Sequence, residues 1–456
     1  MGLWEGDKAL MTPFLPRFGR LAIANIVSNL MVPLAGIIDT AFLGHLADVR
    51  HLGGVAIASV IFNLVYWSFG FLRMGTTGLT AQAFGRRDTA AMNLLLLRNG
   101  LLAVVLGLLI VMLQGPIREI GFWLLNAEPD VRLSGEAFFN ARIWGAPAVL
   151  ANYVLLGRFL GCGQGRRVVL LSVVGNGGNI LLDYWFIREL GWESAGAGAA
   201  TAISQGLMFA VGLGLLLREV AIADLWQLRP QLWDKTALTA MVQLNRDIMV
   251  RTFALLLSFA LFTNWSSALG SEILAANTLL LQVVTLTSYF IDGLAFATET
   301  FAGQFYGAGA AAQLRTLLVW GLSSSVVFGM AIALTFSLFT QPLFRLMTQH
   351  QAVIDQVQSL VWWLVPTLTL GAIAFLLDGY FIGLTQGHLL RNSTLLASGL
   401  GFLPLGLLAR HWQSPAVLWM ALASFMTVRA LTLGSQVARS LSLAQAQVTD
   451  PDAAAL

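Results

Sequence analysis

Apolar residues fall in long runs separated by short polar punctuation along nearly the whole chain. A helix needs about 20 mainly apolar residues to cross a bilayer. Twelve runs reach that length within a few residues: 18–44, 52–72, 93–114, 136–160, 168–187, 196–217, 248–269, 273–297, 315–338, 357–383, 392–409 and 415–436. The eleventh is the shortest and contains Pro404. The pattern predicts an all-α membrane protein with twelve transmembrane helices. Two stretches hold most of the remaining polar residues: 218–247, rich in charge and Trp, and the end of the chain, 438–456, which reads as a disordered cytoplasmic tail.

The runs repeat. Phe159-Leu160-Gly161-Cys162-Gly163-Gln164-Gly165 matches Phe381-Ile382-Gly383-Leu384-Thr385-Gln386-Gly387 at an offset of 222 residues, and Gln82-Ala83-Phe84-Gly85 matches Gln304-Phe305-Tyr306-Gly307 at the same offset. Pro147 and Pro366 match at nearly that offset. The expected organisation is an N-terminal lobe over 1–217 (spans 1–6), a cytoplasmic linker over 218–247 and a C-terminal lobe over 248–437 (spans 7–12). Six spans per lobe is an even number, so both halves insert the same way up, with a pseudo-two-fold axis along the membrane normal and a central cleft between pseudo-symmetric lobes. The glycines of the repeated loop suit a tight turn; no GK[ST] follows, so they do not form a nucleotide loop.

Composition agrees with a bilayer. Of 456 residues, 57% are hydrophobic and 11% charged, and mean hydropathy is +0.75; soluble domains carry about a quarter charged residues. The near-balance of 26 basic and 23 acidic residues argues against a nucleic-acid protein, which would show a clustered basic face. With both termini inside, fifteen Lys and Arg fall in cytoplasmic loops and six in the opposite loops, a positive-inside bias. Lys8 is one of the fifteen. Cys162 is the only cysteine, so neither a disulfide within the chain nor a thiolate cluster is expected. The N-terminus lacks the signal-peptide pattern, and Gly6 stands where myristoylation needs Ser or Thr, so the first apolar run is read as a retained span.

Against this apolar background the intramembrane polar residues stand out. Asp39 lies near the far end of span 1, and an intramembrane carboxylate is a functional candidate by default. In span 5, Asn176, Asn179 and Asp183 stand at i, i+3 and i+7 and share one helix face. Gly175, Gly177 and Gly178 beside them permit close helix approach. Span 6 adds Thr201 and Ser204. Burial disfavours the charged form of a carboxyl group, so a pair in one pocket suits proton exchange or coordination of Na⁺ with amide oxygens. The same aspartates could instead cap or brace helices. At the repeat offset Asp39 falls on Leu261 and Asp183 on Leu405, whereas Asp292 and Asp378 of the C-terminal lobe fall on Gly70 and Leu156. Ion coupling is therefore expected in the N-terminal lobe, with Asp292 and Asp378 as a C-lobe site or gate. Arg73, Arg142 and Arg251 sit near span ends and read as snorkelling. The 13 Met, 14 Trp and 28 Phe fit either a cavity for amphipathic ligands or ordinary membrane packing.

The strings LMVPLAGIIDTAFLGHL, LGGVAIA, FLRMGTTGLTAQAFGRRD and GNGGNILLDYWFI, with the loops GCGQG and GLTQG, resemble the multidrug and toxic compound extrusion (MATE) family, its DinF branch most closely, over residues 14–437. The resemblance implies outward export of organic, often cationic or amphipathic, compounds, driven by H⁺ or Na⁺ moving inward. It also implies that an N-lobe proton or Na⁺ site falls on Asp39, Asn179, Asp183 and Thr201. Asp378 resembles a C-lobe carboxylate of the NorM-like branch, but that branch's acidic partner on span 7 is missing, and Arg251 stands there.

The expectation is thus a secondary antiporter of the inner (cytoplasmic) membrane, multi-pass with both termini cytoplasmic. It is not an enzyme, because HExxH, GxSxG and His-rich metal patterns are absent. It needs no cofactor beyond its coupling ion. Its expected partners are small organic substrates and the lipid bilayer, without nucleic acid, and it is expected to be a monomer. The alternative is a lipid-linked-sugar flippase of related architecture, which would need a more cationic cavity.

Overall fold

The computed structural model of the chain describes residues 14–449 except Ala47 and Ala127. The N-terminal signal and myristoylation readings, Lys8 and residues 450–456 of the expected tail lie outside the described residues. Among the described residues every regular element is helical, and twelve helical segments are long and apolar enough to span a membrane. They are α1 Phe14–Gly44, α2 Arg50–Gly85, α3 Thr89–Met112, α4 Pro129–Gly161, α5 Gly165–Glu189, α6 Glu193–Leu217, α7 Lys235–Ala268, α8 Ser271–Gly307, α9 Ala311–Leu338, α10 Gln351–Gly383, α11 Gly387–Trp412 and α12 Pro415–Thr449. Each of the twelve apolar runs has its helix. The chain divides into two compact units at Met241/Val242, inside α7.

One expectation needs correction. Residues 438–449 are not a disordered tail: α12 continues through them to Thr449, in a stretch rich in the helix formers Ala, Leu and Gln. The segment 218–247, expected as the linker, is ordered. Its last third is the start of α7, and Arg98 of α3 holds its middle by donating to the carbonyls of Leu232 (3.2 Å) and Gln231 (2.6 Å).

The repeat shows in local geometry. A proline has no N–H for the carbonyl four residues back. Pro147 withholds one from Ile143 and Pro366 from Trp362, and in both helices a short 3₁₀ turn occupies that place, Ile143–Gly145 in α4 and Val361–Trp363 in α10. Downstream, a Cβ added to Gly157 would lie 2.8 Å from the Arg73 carbonyl of α2, and one at Gly379 would strike the Ala295 carbonyl of α8. Helix pairs α2–α4 and α8–α10 are therefore packed at backbone contact through small residues.

Wider turns recur as well. In α5, π turns at Val173–Gly177 and Tyr184–Glu189 flank the segment Gly178–Asp183. In α11 a π turn, Ala397–Phe402, precedes Pro404, whose missing N–H would otherwise serve residue 400. Such turns leave carbonyls outside the regular ladder and are common at functional sites. The C-terminal unit has a dense core: Trp265 stacks on Phe402 with centroids 5.6 Å apart, and buried Trp419 donates to Asn277 Oδ1 at 2.8 Å.

Candidate functional site

The N-terminal unit brings Asp39 and Asp183 together. Helix α1 packs along α5, with Ser28 and Ser172 in hydroxyl–hydroxyl contact near one end of the seam. Further along, the Asp39 carboxyl comes within hydrogen-bonding range of Asp183. Asp183 has no exposed surface, while Asp39 is partly buried. Asn179, one turn before Asp183, donates Nδ2 to Asp183 Oδ2 at 2.9 Å. Oδ1 of each aspartate is buried without a hydrogen-bond partner. Two ionised carboxylates have no donor between them, so a hydrogen bond across this pair requires a shared proton. The orphaned oxygens, with the free carbonyl side of the Asn179 amide, are also the hard donors that Na⁺ takes.

The other candidates of this lobe are engaged with their own helices. Asn176 Nδ2 donates to the Ser172 carbonyl at 2.9 Å, and Thr201 Oγ1 to the Ala197 carbonyl at 2.9 Å. Thr201 keeps its oxygen lone pairs. Ser204 donates to the Thr201 carbonyl.

Arg142 does not snorkel. It ends the first segment of α4, just before the 3₁₀ turn set by Pro147. Its guanidinium lies over Phe62 at 4.6 Å, Phe138 at 5.4 Å and Tyr66 at 5.9 Å. It is close enough for its charge to act on both Asp39 and Asp183. Sequence reasoning read this residue as a snorkelling one and missed its place beside the pair. The available signal was Phe138 one turn before it on the same helix face.

In the C-terminal unit Asp378 is buried, and its Oδ2 accepts from Nη2 of both Arg251 on α7 and Arg429 on α12. Arg251 is thus an interior ion-pair partner and not a snorkelling one. Arg429 has no exposed surface and lies over Phe375 at 5.3 Å and Phe425 at 5.6 Å. Asp292 on α8 is near enough to act on Arg429. A carboxylate that already accepts from two fixed guanidiniums is poorly suited to hold a mobile cation.

A family profile described as MatE matches residues 24–185 and 248–406. The chain is 35% identical over 434 residues, 95% of its length and 92% of the relative's, to DNA damage-inducible protein F of Escherichia coli (strain K12). It is 24% identical over 342 residues, 74% of this chain and 73% of the other, to a probable multidrug resistance protein NorM of Thermotoga maritima. A solved MOP-superfamily transporter of Pyrococcus furiosus, described as having a binding pocket of reverse polarity, superposes with a TM-score of 0.84 at 19% identity, over 94% of this chain and 96% of that one. At that identity the structural likeness speaks for the fold alone.

Proposed function

This chain belongs to the MatE family of multidrug and toxic compound efflux transporters, and from that premise we propose that it is a secondary antiporter coupled through Asp39 and Asp183. Inward movement of H⁺, or of Na⁺, drives export of organic cations and amphipathic compounds. The protein works as a monomer in the inner membrane with both termini cytoplasmic. The observation that carries this reading is the pair itself: two carboxyls from α1 and α5 within hydrogen-bonding range, each with an orphaned buried oxygen.

The coupling ion acts by preferring one conformation. An ion or substrate shifts an equilibrium only by the difference in its affinity for the two states. Loading the pair removes the repulsion between α1 and α5, and unloading restores it, so ion occupancy biases the alternation that exposes substrate to either side. Asn179 holds Asp183 in register for this exchange, and Thr201 supplies a further oxygen to a bound cation. Asp378, paired to Arg251 and Arg429, has a structural or gate role alongside Asp292. The flippase alternative gains no support from Arg251, Arg429 or Arg142, because the first two are engaged by Asp378 and the third lies over aromatic rings.

The test is counterflow of an organic cation dye by purified protein in liposomes, with pH and Na⁺ gradients imposed separately. Asp39→Asn is expected to abolish gradient-driven movement while the protein stays folded in the membrane. Full retention of gradient-driven export by that variant refutes the assignment.

A further inference from the structure

We propose that residues 222–233 lie in the membrane surface as an in-plane anchor. Ile222, Trp226 and Trp233 sit at the boundary of headgroups and acyl chains, and the Arg229 guanidinium sits on the phosphate of an anionic phospholipid.

The segment has two faces. It is a helix over Ile222–Gln227 followed by a 3₁₀ turn over Arg229–Trp233. Leu225, Leu228 and Leu232 recur at helical spacing and are half-buried, and both pieces pack against α3. Ile222 and Trp226, one turn apart, are each 66% exposed, and Trp233 is 70% exposed. Three large apolar side chains on so short a piece are costly in water and mark an interaction surface.

The neighbouring surface identifies the occupant. Along α3, Leu101, Val104, Val105, Leu108, Leu109 and Met112 are all exposed, the stripe that a membrane span turns to lipid. From Thr89 to Arg98 no large apolar residue of α3 is exposed. The segment is held at the end of that stretch: Arg98 donates Nε to the Leu232 carbonyl at 3.2 Å and Nη2 to the Gln231 carbonyl at 2.6 Å. The lipid-facing stripe of α3 thus begins one turn beyond the residue that holds the segment. Arg98 itself lies inside the apolar run 93–114, so the carbonyls it grips are level with the bilayer and not beyond its edge. At that level the surrounding volume is lipid, which leaves no place for a soluble partner.

Arg229 supplies the polar contact. Its guanidinium lies 3.9 Å above the Trp226 ring, and both side chains are exposed. Indole favours the membrane–water boundary. A guanidinium stacked on it keeps its in-plane N–H donors for a phosphate, which it can hold through two parallel bonds. The exposed charges of 218–235 are Arg218, Arg229 and Lys235 against Asp224 and Asp234. Asp234 is turned onto the backbone N–H groups of Thr236 (2.9 Å) and Ala237 (3.4 Å). The half-buried Glu219 is paired with Arg167 at 2.6 Å. The remaining balance is positive, as attraction to an anionic lipid surface requires.

The experiment uses the full-length protein with Cys162→Ser in vesicles of phosphatidylcholine and an equal part of phosphatidylglycerol. It carries one spin label at a time, at Ile222→Cys, Trp233→Cys or Asp224→Cys. Labels at 222 and 233 are expected to collide more often with oxygen, which concentrates in lipid, than with a water-soluble nickel chelate. The label at 224 is expected to show the reverse. A nickel preference at 222 and 233 places the segment in water and overturns the proposal. Protection from both reagents means that protein covers the segment, which overturns it as well. The arginine is tested with a bimane label on Ile222→Cys and brominated lipids as quenchers. Brominated phosphatidylglycerol is expected to quench at about one-fifth the membrane fraction that brominated phosphatidylcholine needs, the preference that one basic residue at an anionic surface confers. Arg229→Gln is expected to abolish that difference while the oxygen preference at 233 persists. A parent protein without the difference, or an Arg229→Gln protein that keeps it, overturns the phosphate contact. Neither readout uses dye export, so failure here leaves coupling through Asp39 and Asp183 untouched.

Discussion

Asn179 donates to Asp183 across one turn of α5, at 2.9 Å, and both side chains are buried. The bond spends the amide's N–H on one carboxylate oxygen and leaves the other oxygen for a partner from α1. Leaving a buried carboxylate oxygen unsatisfied costs about 1–3 kcal/mol. Asn179→Ala is therefore expected to lower the thermal midpoint of the detergent-solubilised protein and to weaken dye export under a pH gradient. A variant with unchanged midpoint and unchanged export speaks against the bond having either role.

Asp378 makes a contrasting case. Removing one partner of a buried ion pair typically destabilises by about 3–5 kcal/mol because the remaining charge stays buried. Asp378→Ala leaves Arg251 and Arg429 without their shared acceptor, so it should sharply reduce the yield of monodisperse protein. In whatever fraction folds, the dependence of export on the imposed ion gradient should match the wild type. Loss of that dependence in well-folded protein would return Asp378 to the list of coupling groups.

At Gly157 the packing of α4 on α2 admits no side chain. A Cβ there would lie 2.7 Å from Thr76 Cβ and 2.8 Å from the Arg73 carbonyl oxygen. Gly157→Leu is expected to cost at least the 1–3 kcal/mol typical of overpacking, about that of a single well-placed core insertion, seen as a lower thermal midpoint. Gly177→Leu, at a position where nothing lies within 4 Å of an added Cβ, is the matched control and should be much milder.

Glu119, on the short helix Gln114–Leu124 between α3 and α4, is held below its ordinary value of 4.5 by hydrogen bonds from Arg118 and then Arg132. Its folded-state affinity for protons is lowered, so the stabilisation is present above 4.5 and is lost as pH falls through the lowered folded value. The group is exposed, and salt screens the contact. Hydrogen-exchange protection of 114–124 should decline in that acidic window at low salt in the wild type and stay flat in Glu119→Gln. Parallel curves for the two proteins rule the contact out as the cause.

Much of this architecture is legible in the chain because the bilayer imposes a single length scale. Hydropathy alone finds α1 to α12, and Pro147 and Pro366 announce paired irregularities that the 3₁₀ turns realise. Asp39, Asn179 and Asp183 are conspicuous because a carboxylate in an apolar run has few cheap explanations. Arg142 was hidden by a boundary. Its helix begins at Pro129, so the residue lies about 20 Å along α4 at 1.5 Å per residue, too far in for the span-end reading. Arg251 and Arg429 were hidden by distance in the chain, since they meet Asp378 across 127 and 51 residues with no local pattern to link them. Asn176 shares a face of α5 with Asn179 and Asp183, but there, as at Thr201 on α6, a carbonyl of its own helix lies within reach and takes the bond.

The two π turns of α5 bear on how this site can evolve. A π turn is a helix holding one residue more than the regular ladder accommodates, the trace an insertion leaves when the flanking turns stay in place. Deleting one residue within Val173–Gly177 would restore the ordinary ladder with the turns on either side still in place. Asp183 would keep the face it shares with Asp39, and what would go is the wide turn with its carbonyls outside the ladder. Along α5, then, the count of residues decides whether backbone oxygens stay available beside the site, which no substitution of a side chain controls.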